Sequence, residues 1–124
     1  MDMTADPIVE MLRNCQHVAP VLSQVGDKWT VLIIMSLRSG PRRFNDIKRT
    51  VTGISQQMLT RTLKTLERDG MVIRTALPTT PPQVHYELSP LGHSLSVPVV
   101  AIGRWVQEHI AEIEQARTVF DSRA

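Results

Sequence analysis

Between positions 56 and 64 the chain holds two side-chain amides, Gln56 and Gln57, a hydroxyl, Thr60, and two cations, Arg61 and Lys64, with no acid among them. These groups offer hydrogen bonds in planar pairs. A glutamine amide matches the N6/N7 edge of adenine, a guanidinium the O6/N7 edge of guanine, and a threonine methyl the methyl of thymine. Lys64 and Arg68 lie farther along and suit phosphate oxygens. Gln57, Arg61, Lys64 and Arg68 follow spacings of four, three and four, so on a helix they share one face. A polar helix face is common in itself, and its meaning depends on the elements around it.

Other reactive types are sparse. The histidines His17, His85, His93 and His109 are scattered, without evident acid partners, and no glycine loop has phosphate-binding spacing. Catalysis is therefore not expected, and neither is a cofactor. Cys15 is the one cysteine, which excludes an internal disulfide framework and a zinc site built from several thiolates. A sensing thiol needs exposure and a depressed pKa, whereas a lone cysteine is more often a small buried hydrophobe. Cys15-Gln16-His17 with a histidine from a second chain is a weak metal-ligand pattern, short of the usual four ligands for zinc. No resident metal is expected.

The 124 residues suffice for a single core, so one domain spanning 1–124 is expected. Net charge is only +2, yet nine cationic residues between Arg38 and Arg74 stand against three acids, a local charge of +6. That imbalance suits a polyanion. The apolar run Val31–Met35 is too short for a membrane span, and the stretch Met1–Pro7 is acidic where a signal peptide is basic, so the cytoplasm is expected and a membrane partner is not.

Helices and one hairpin must position these groups. Helical segments are expected at about 8–15 and 18–24, the first opened by Pro7. Residues 29–38 are apolar almost all round, as in a central core helix stopped by Gly40-Pro41. Phe44, Ile47 and Val51 mark a short helix. After Thr52-Gly53-Ile54, Ser55 is a good N-cap for a helix running to Asp69, with Leu59, Leu63 and Leu66 as its inward stripe and Gly70 at its close. Residues 71–77 and 83–88 read as two strands joined by a proline-stiffened turn. A long helix over about 90–117 carries the stripe Leu95, Val99, Ile102, Val106, Ile110 and Ile113, with Trp105 beside it.

Two helices joined by a short glycine-containing turn and followed by a hairpin form a winged helix-turn-helix. The expected class is mainly α with a small β-hairpin. In this device the second helix enters the major groove by its N-terminal residues, so Ser55, Gln56, Gln57, Thr60, Arg61 and Lys64 are candidate DNA contacts. Arg74, Thr79, Thr80 and Gln83 are candidates for the wing, against the plainer reading of a hairpin with a wet tip.

The chain resembles the HxlR family of winged-helix bacterial transcriptional regulators. The likeness runs from about Cys15 to Trp105 on Gly26-Asp27-Lys28-Trp29-Thr30, Gly40-Pro41-Arg42-Arg43-Phe44-Asn45-Asp46-Ile47, Gly53-Ile54-Ser55-Gln56-Gln57-Met58-Leu59, Glu67-Arg68-Asp69-Gly70 and Tyr86-Glu87-Leu88-Ser89-Pro90-Leu91-Gly92. It implies a homodimer joined through N-terminal (7–25) and C-terminal (90–117) helices around a DNA-binding core and wing (27–88). It also implies a short strand near Arg42–Phe44 that joins the wing, bringing Arg42 and Arg43 to the DNA side. Cys15 matches the cysteine with which some members sense quinones, aldehydes or oxidants, although Gln16 stands where members often have proline.

The expected function is a sequence-specific regulator, as a repressor, of a pseudo-palindromic duplex operator. The effector would be a small electrophile or oxidant acting at Cys15. Met11, Leu12, Val99, Ile102, Trp105, Val106, Ile110 and Ile113 are the expected dimer face. The rivals are a metal-responsive winged-helix repressor and a winged helix that binds proteins without touching DNA.

Overall fold

A computed structural model describes residues 6–123; positions 1–5, in the acidic stretch judged unlike a signal peptide, and position 124 lie outside it. In chain order the elements are α1 (Pro7–Arg13), α2 (Cys15–Val25), α3 (Lys28–Leu37), β1 (Arg42–Arg43), α4 (Phe44–Thr50), α5 (Gln56–Arg68), β2 (Val72–Leu77), β3 (Gln83–Leu88) and α6 (Pro90–Asp121). The architecture is mainly helical with one small antiparallel sheet, a winged helix-turn-helix.

Helix α3 is the centre. Asp27 caps its start, accepting from the backbone N–H groups of Trp29 at 3.0 Å and Thr30 at 3.2 Å. Ile33, Ile34 and Leu37 are wholly buried among Ile47, Leu59, Leu63 and Leu66. Leu32 and Met35, by contrast, are exposed. The sequence reads as a helix enclosed on every side, but a single chain supplies neighbours on one side only.

The strands lie in the order β1-β3-β2. Arg42 pairs with Tyr86 and Arg43 with His85 across β1 and β3, while Val72 faces Leu88 and Arg74 faces Tyr86 across β2 and β3. Directly opposed residues point to the same side of a sheet. Arg42, Tyr86 and Arg74 therefore form one row, on the face that carries the buried pair Val72 and Leu88.

Ser89 ties this body to α6. Its hydroxyl donates to the Gly70 carbonyl at 2.5 Å and accepts from the Gly92 backbone N–H at 3.1 Å. One side chain thus joins the end of α5 to the start of α6.

The termini depart most from the sequence reading. The first helix ends at Arg13 rather than Cys15. Asn14 terminates it, donating a side-chain bond back to Glu10 at 3.2 Å, and Cys15 opens α2. Within α2, Pro20 has no N–H to continue the ladder. Helix α6 continues past Arg117 to Asp121, since nothing after Arg117 breaks it. Only Gly92, Ser96 and Val99 of its 32 residues are buried. Val99, expected on the dimer face, packs instead into the core of its own chain, where it is 4% exposed. No single described helix is long and apolar enough to cross a membrane.

Candidate nucleic-acid interface

The short helix α4, the turn 51–55 and α5 build the helix-turn-helix. Gly53 has φ +90°, which only glycine adopts without strain, and the turn it allows sets α5 against α4. Ser55 then caps α5 by accepting from the Met58 N–H at 3.0 Å. One of its two acceptor sites is engaged in the fold, which ties the hydroxyl to the helix end.

Helix α5 buries Leu59, Thr62, Leu63 and Leu66. The Thr62 hydroxyl bonds back to the Met58 carbonyl at 2.8 Å, which lets a polar residue sit inward. The polar candidates of α5 lie on the other side. Gln56, Gln57, Thr60, Arg61 and Lys64 together line one shallow basin on the front of the helix. Among the described residues the one ion pair joins Arg49 to Asp46, so Arg61, Lys64, Arg68 and Arg74 hold no carboxylate partner. Four cations against the two acids Glu67 and Asp69, on and beside one helix, leave this side of the chain net positive.

The candidates outside α5 divide. Arg43 is exposed and held by a bond from its guanidinium to Gln83 Oε1 at 2.7 Å, which ties it to the first residue of β3. Arg42 is half-buried, and its Nε donates to the Ser36 carbonyl at 2.6 Å. That bond satisfies the end of α3 and anchors β1, so Arg42 holds the wing to the body with part of the group expected to face DNA. At the wing tip, Thr79 turns its hydroxyl onto the Pro81 carbonyl at 2.8 Å. Thr80 beside it is exposed.

On its wing side α5 meets a crevice walled by Phe44 and Tyr86 and reached by Arg74 and Glu67. Sequence reasoning did not single out Phe44, Tyr86 or Glu67 as site residues. The signal existed only in the sheet register, which sets Tyr86 between Arg42 and Arg74.

Cys15 is exposed at the first position of α2. No group of three or more His, Cys, Asp or Glu among the described residues could hold a metal ion. Met11, Leu12, Ile102, Trp105, Val106 and Ile110 are all exposed, and Ile113 is half-buried. Trp105 stacks on His109 with ring centroids 4.5 Å apart. Val21 and Leu22 of α2 and Phe120 of α6 add exposed apolar surface that sequence reasoning passed over.

This fold has close counterparts. A family model described as HxlR-like helix-turn-helix matches residues 24–114, from the end of α2 through most of α6. The chain belongs to the HxlR-like family. A curated relative from Escherichia coli K12, the uncharacterized HTH-type transcriptional regulator YtfH, is 41% identical over 84% of this chain and 80% of its own length. Among solved structures, the ytfH regulator from Salmonella typhimurium superposes with TM-score 0.77 at 37% identity, covering 82% of this chain and 91% of that one. Diamide-treated YodB from B. subtilis superposes with TM-score 0.64 at 38% identity, covering 73% and 89%. As an HxlR-like protein the chain is a helix-turn-helix transcriptional regulator, a non-enzymatic class.

Proposed function

We propose that this HxlR-like chain binds duplex DNA in a sequence-selective way, as a two-fold dimer, and represses transcription from a pseudo-palindromic operator in the cytoplasm. The observation that carries the reading is the front of α5. Gln56, Gln57, Thr60, Arg61 and Lys64 share one open basin at the N-terminal part of a capped helix, with their cations unpaired. That is where a recognition helix places its base-reading residues. A protein-binding winged helix would present an apolar or acidic face, and this one is neither. Arg43 and Thr80 are the wing groups best free to meet phosphate, with Arg74 beside them on β2.

Dimerisation rests on the apolar surface a single chain leaves in water. Leu12 on α1 is 68% exposed, and Ile102 and Trp105, three residues apart on one face of α6, are 61% and 54% exposed, the kind of apolar surface that marks an interaction site. A second copy would cover it and set two α5 helices on one face of the duplex, one or two turns apart. Sedimentation at micromolar concentration should give about twice the chain mass of 14.0 kDa. Trp105→Ser should shift the population toward the single chain without loss of helix signal. A wild-type chain that sediments alone at that concentration removes the dimer.

Control by thiol chemistry is the second reading, favoured by the exposure of Cys15 and by the diamide treatment of the YodB relative. Oxidation would break the S–H bonds of Cys15 and of a second thiol and join their sulfurs, with diamide taking up the two electrons and two protons. Cys15 is the chain's one cysteine, so that thiol must come from another molecule. Fluorescence anisotropy of labelled DNA from upstream of the protein's own coding sequence, with and without diamide or a quinone, tests both readings. Tight, salt-dependent, selective binding is expected, with release on oxidation that Cys15→Ser abolishes. Release that persists in Cys15→Ser removes the thiol from the mechanism. Equal binding to random DNA counts against the regulator-operator pairing.

A further inference from the structure

The crevice between α5 and the wing has a composition that DNA contact alone does not use. It encloses about 320 Å³, at the lower end of the roughly 300–1,000 Å³ of small-molecule sites. Three apolar side chains wall it: Leu63, buried in α5, and the rings of Phe44 and Tyr86, half-buried and packed on the core. Lys64 reaches it from α5 and Arg74 from β2, and the register sets Arg74 directly across from Tyr86. Glu67 and Thr60 complete the lining. Neither cation is paired, with Glu67 or with any other described acid.

A DNA phosphate could use the two cations but leaves the ring surfaces without a partner. A metal ion is disfavoured by the cations, and a dinucleotide is too large for the volume. The group that uses every wall is a single aromatic ring bearing one carboxylate. The ring would lie against Phe44 and Tyr86 at the usual offset or edge-on contacts of aromatic pairs. The carboxylate would bridge Lys64 and Arg74 through charge-assisted bonds. A ring hydroxyl would donate to Glu67.

We propose that this crevice binds a small aromatic carboxylate, and that bound ligand and bound DNA exclude each other. The exclusion rests on the DNA reading above, because Thr60 and Lys64 belong to both surfaces. The ligand would then release the protein from DNA by direct competition, independently of Cys15.

Tyr86 is the only tyrosine in the chain, so its ring proton signals report on the crevice alone. Titrating the full-length protein with 4-hydroxybenzoate, without DNA, should shift those signals saturably. Acetate has the charge without the ring, and benzyl alcohol the ring without the charge; each should shift them far less. Arg74→Gln, a change at an exposed position, should weaken the apparent affinity about tenfold. Glu67→Gln should tighten benzoate, which has no hydroxyl to lose, and weaken 4-hydroxybenzoate relative to it. In anisotropy, the apparent Kd for selected DNA should rise in proportion to added 4-hydroxybenzoate.

Tyr86 signals that stay still, or that move equally with all three probes, overturn the site. So does an Arg74→Gln protein that binds as well as the wild type. A saturable Tyr86 shift with unaltered DNA affinity overturns the exclusion. A saturable shift in a protein with no DNA selectivity supports the ligand site and counts against the DNA reading instead.

Discussion

Alanine at position 92 is expected to cost the fold about 3 kcal/mol, the upper part of the range for forced overpacking. A Cβ built there would stand 2.1 Å from the Met71 carbonyl oxygen, 3.1 Å from its carbon and 3.2 Å from the Leu88 Cβ. The first two obstacles are backbone, so no rotamer change relieves them. The same Met71 carbonyl accepts from the Ser89 N–H at 3.0 Å. Moving it disturbs the junction at which Ser89 ties Gly70 to the start of α6. Urea unfolding should show a lower midpoint for Gly92→Ala with an unchanged slope. A loss under about 1 kcal/mol would mean that α6 slides along the sheet freely, against the packing described.

The second large effect concerns α5. Arg61→Ala should weaken selected DNA by about 1–3 kcal/mol per half-site and relax the preference at one base pair in each. Lys64→Ala should weaken all sequences about evenly. In a two-fold dimer that change removes two phosphate contacts, so the slope of log affinity against log salt should fall by about 2. The two variants thus separate along different axes, specificity for Arg61 and salt dependence for Lys64. Anisotropy titrations on selected and scrambled duplexes at several salt concentrations measure both. If Arg61→Ala and Lys64→Ala both leave binding unchanged, the front of α5 does not carry it.

The reading helix was legible because its signals are local. Ser55 and Gly70 bracket α5, and the Leu59, Leu63, Leu66 stripe fixes which side turns inward, so the outward set follows by elimination. The strand at Arg42–Arg43 came from the family resemblance, since two arginines have no strand pattern of their own.

What stayed hidden depends on contacts distant in sequence. The stripe from Leu95 to Ile113 is continuous in period, and nothing in it marks where the body of the chain ends. Packing decides that Val99 is interior and Ile102 is not. The openness of Leu32 and Met35 likewise follows from which neighbours exist, a property the composition of α3 does not carry. Asn14 breaks the N-terminal run where its backbone leaves the helical region, at φ −97° and ψ 24°, a choice the apolar pattern of α1 and α2 does not reveal. The crevice required the cross-strand register that sets Arg74 opposite Tyr86, together with the position of Phe44 at the start of α4.

In the proposed assembly two α5 front faces, held by one dimer, read one two-fold DNA site. The most direct test is selection of genomic fragments on the purified protein, followed by footprinting of the fragments retained. One short motif repeated with two-fold symmetry is expected, its half-sites about 10 or 21 base pairs apart, centre to centre, with protection that collapses in Arg61→Ala. Retention without a shared motif, or a motif unaffected by Arg61→Ala, would contradict it.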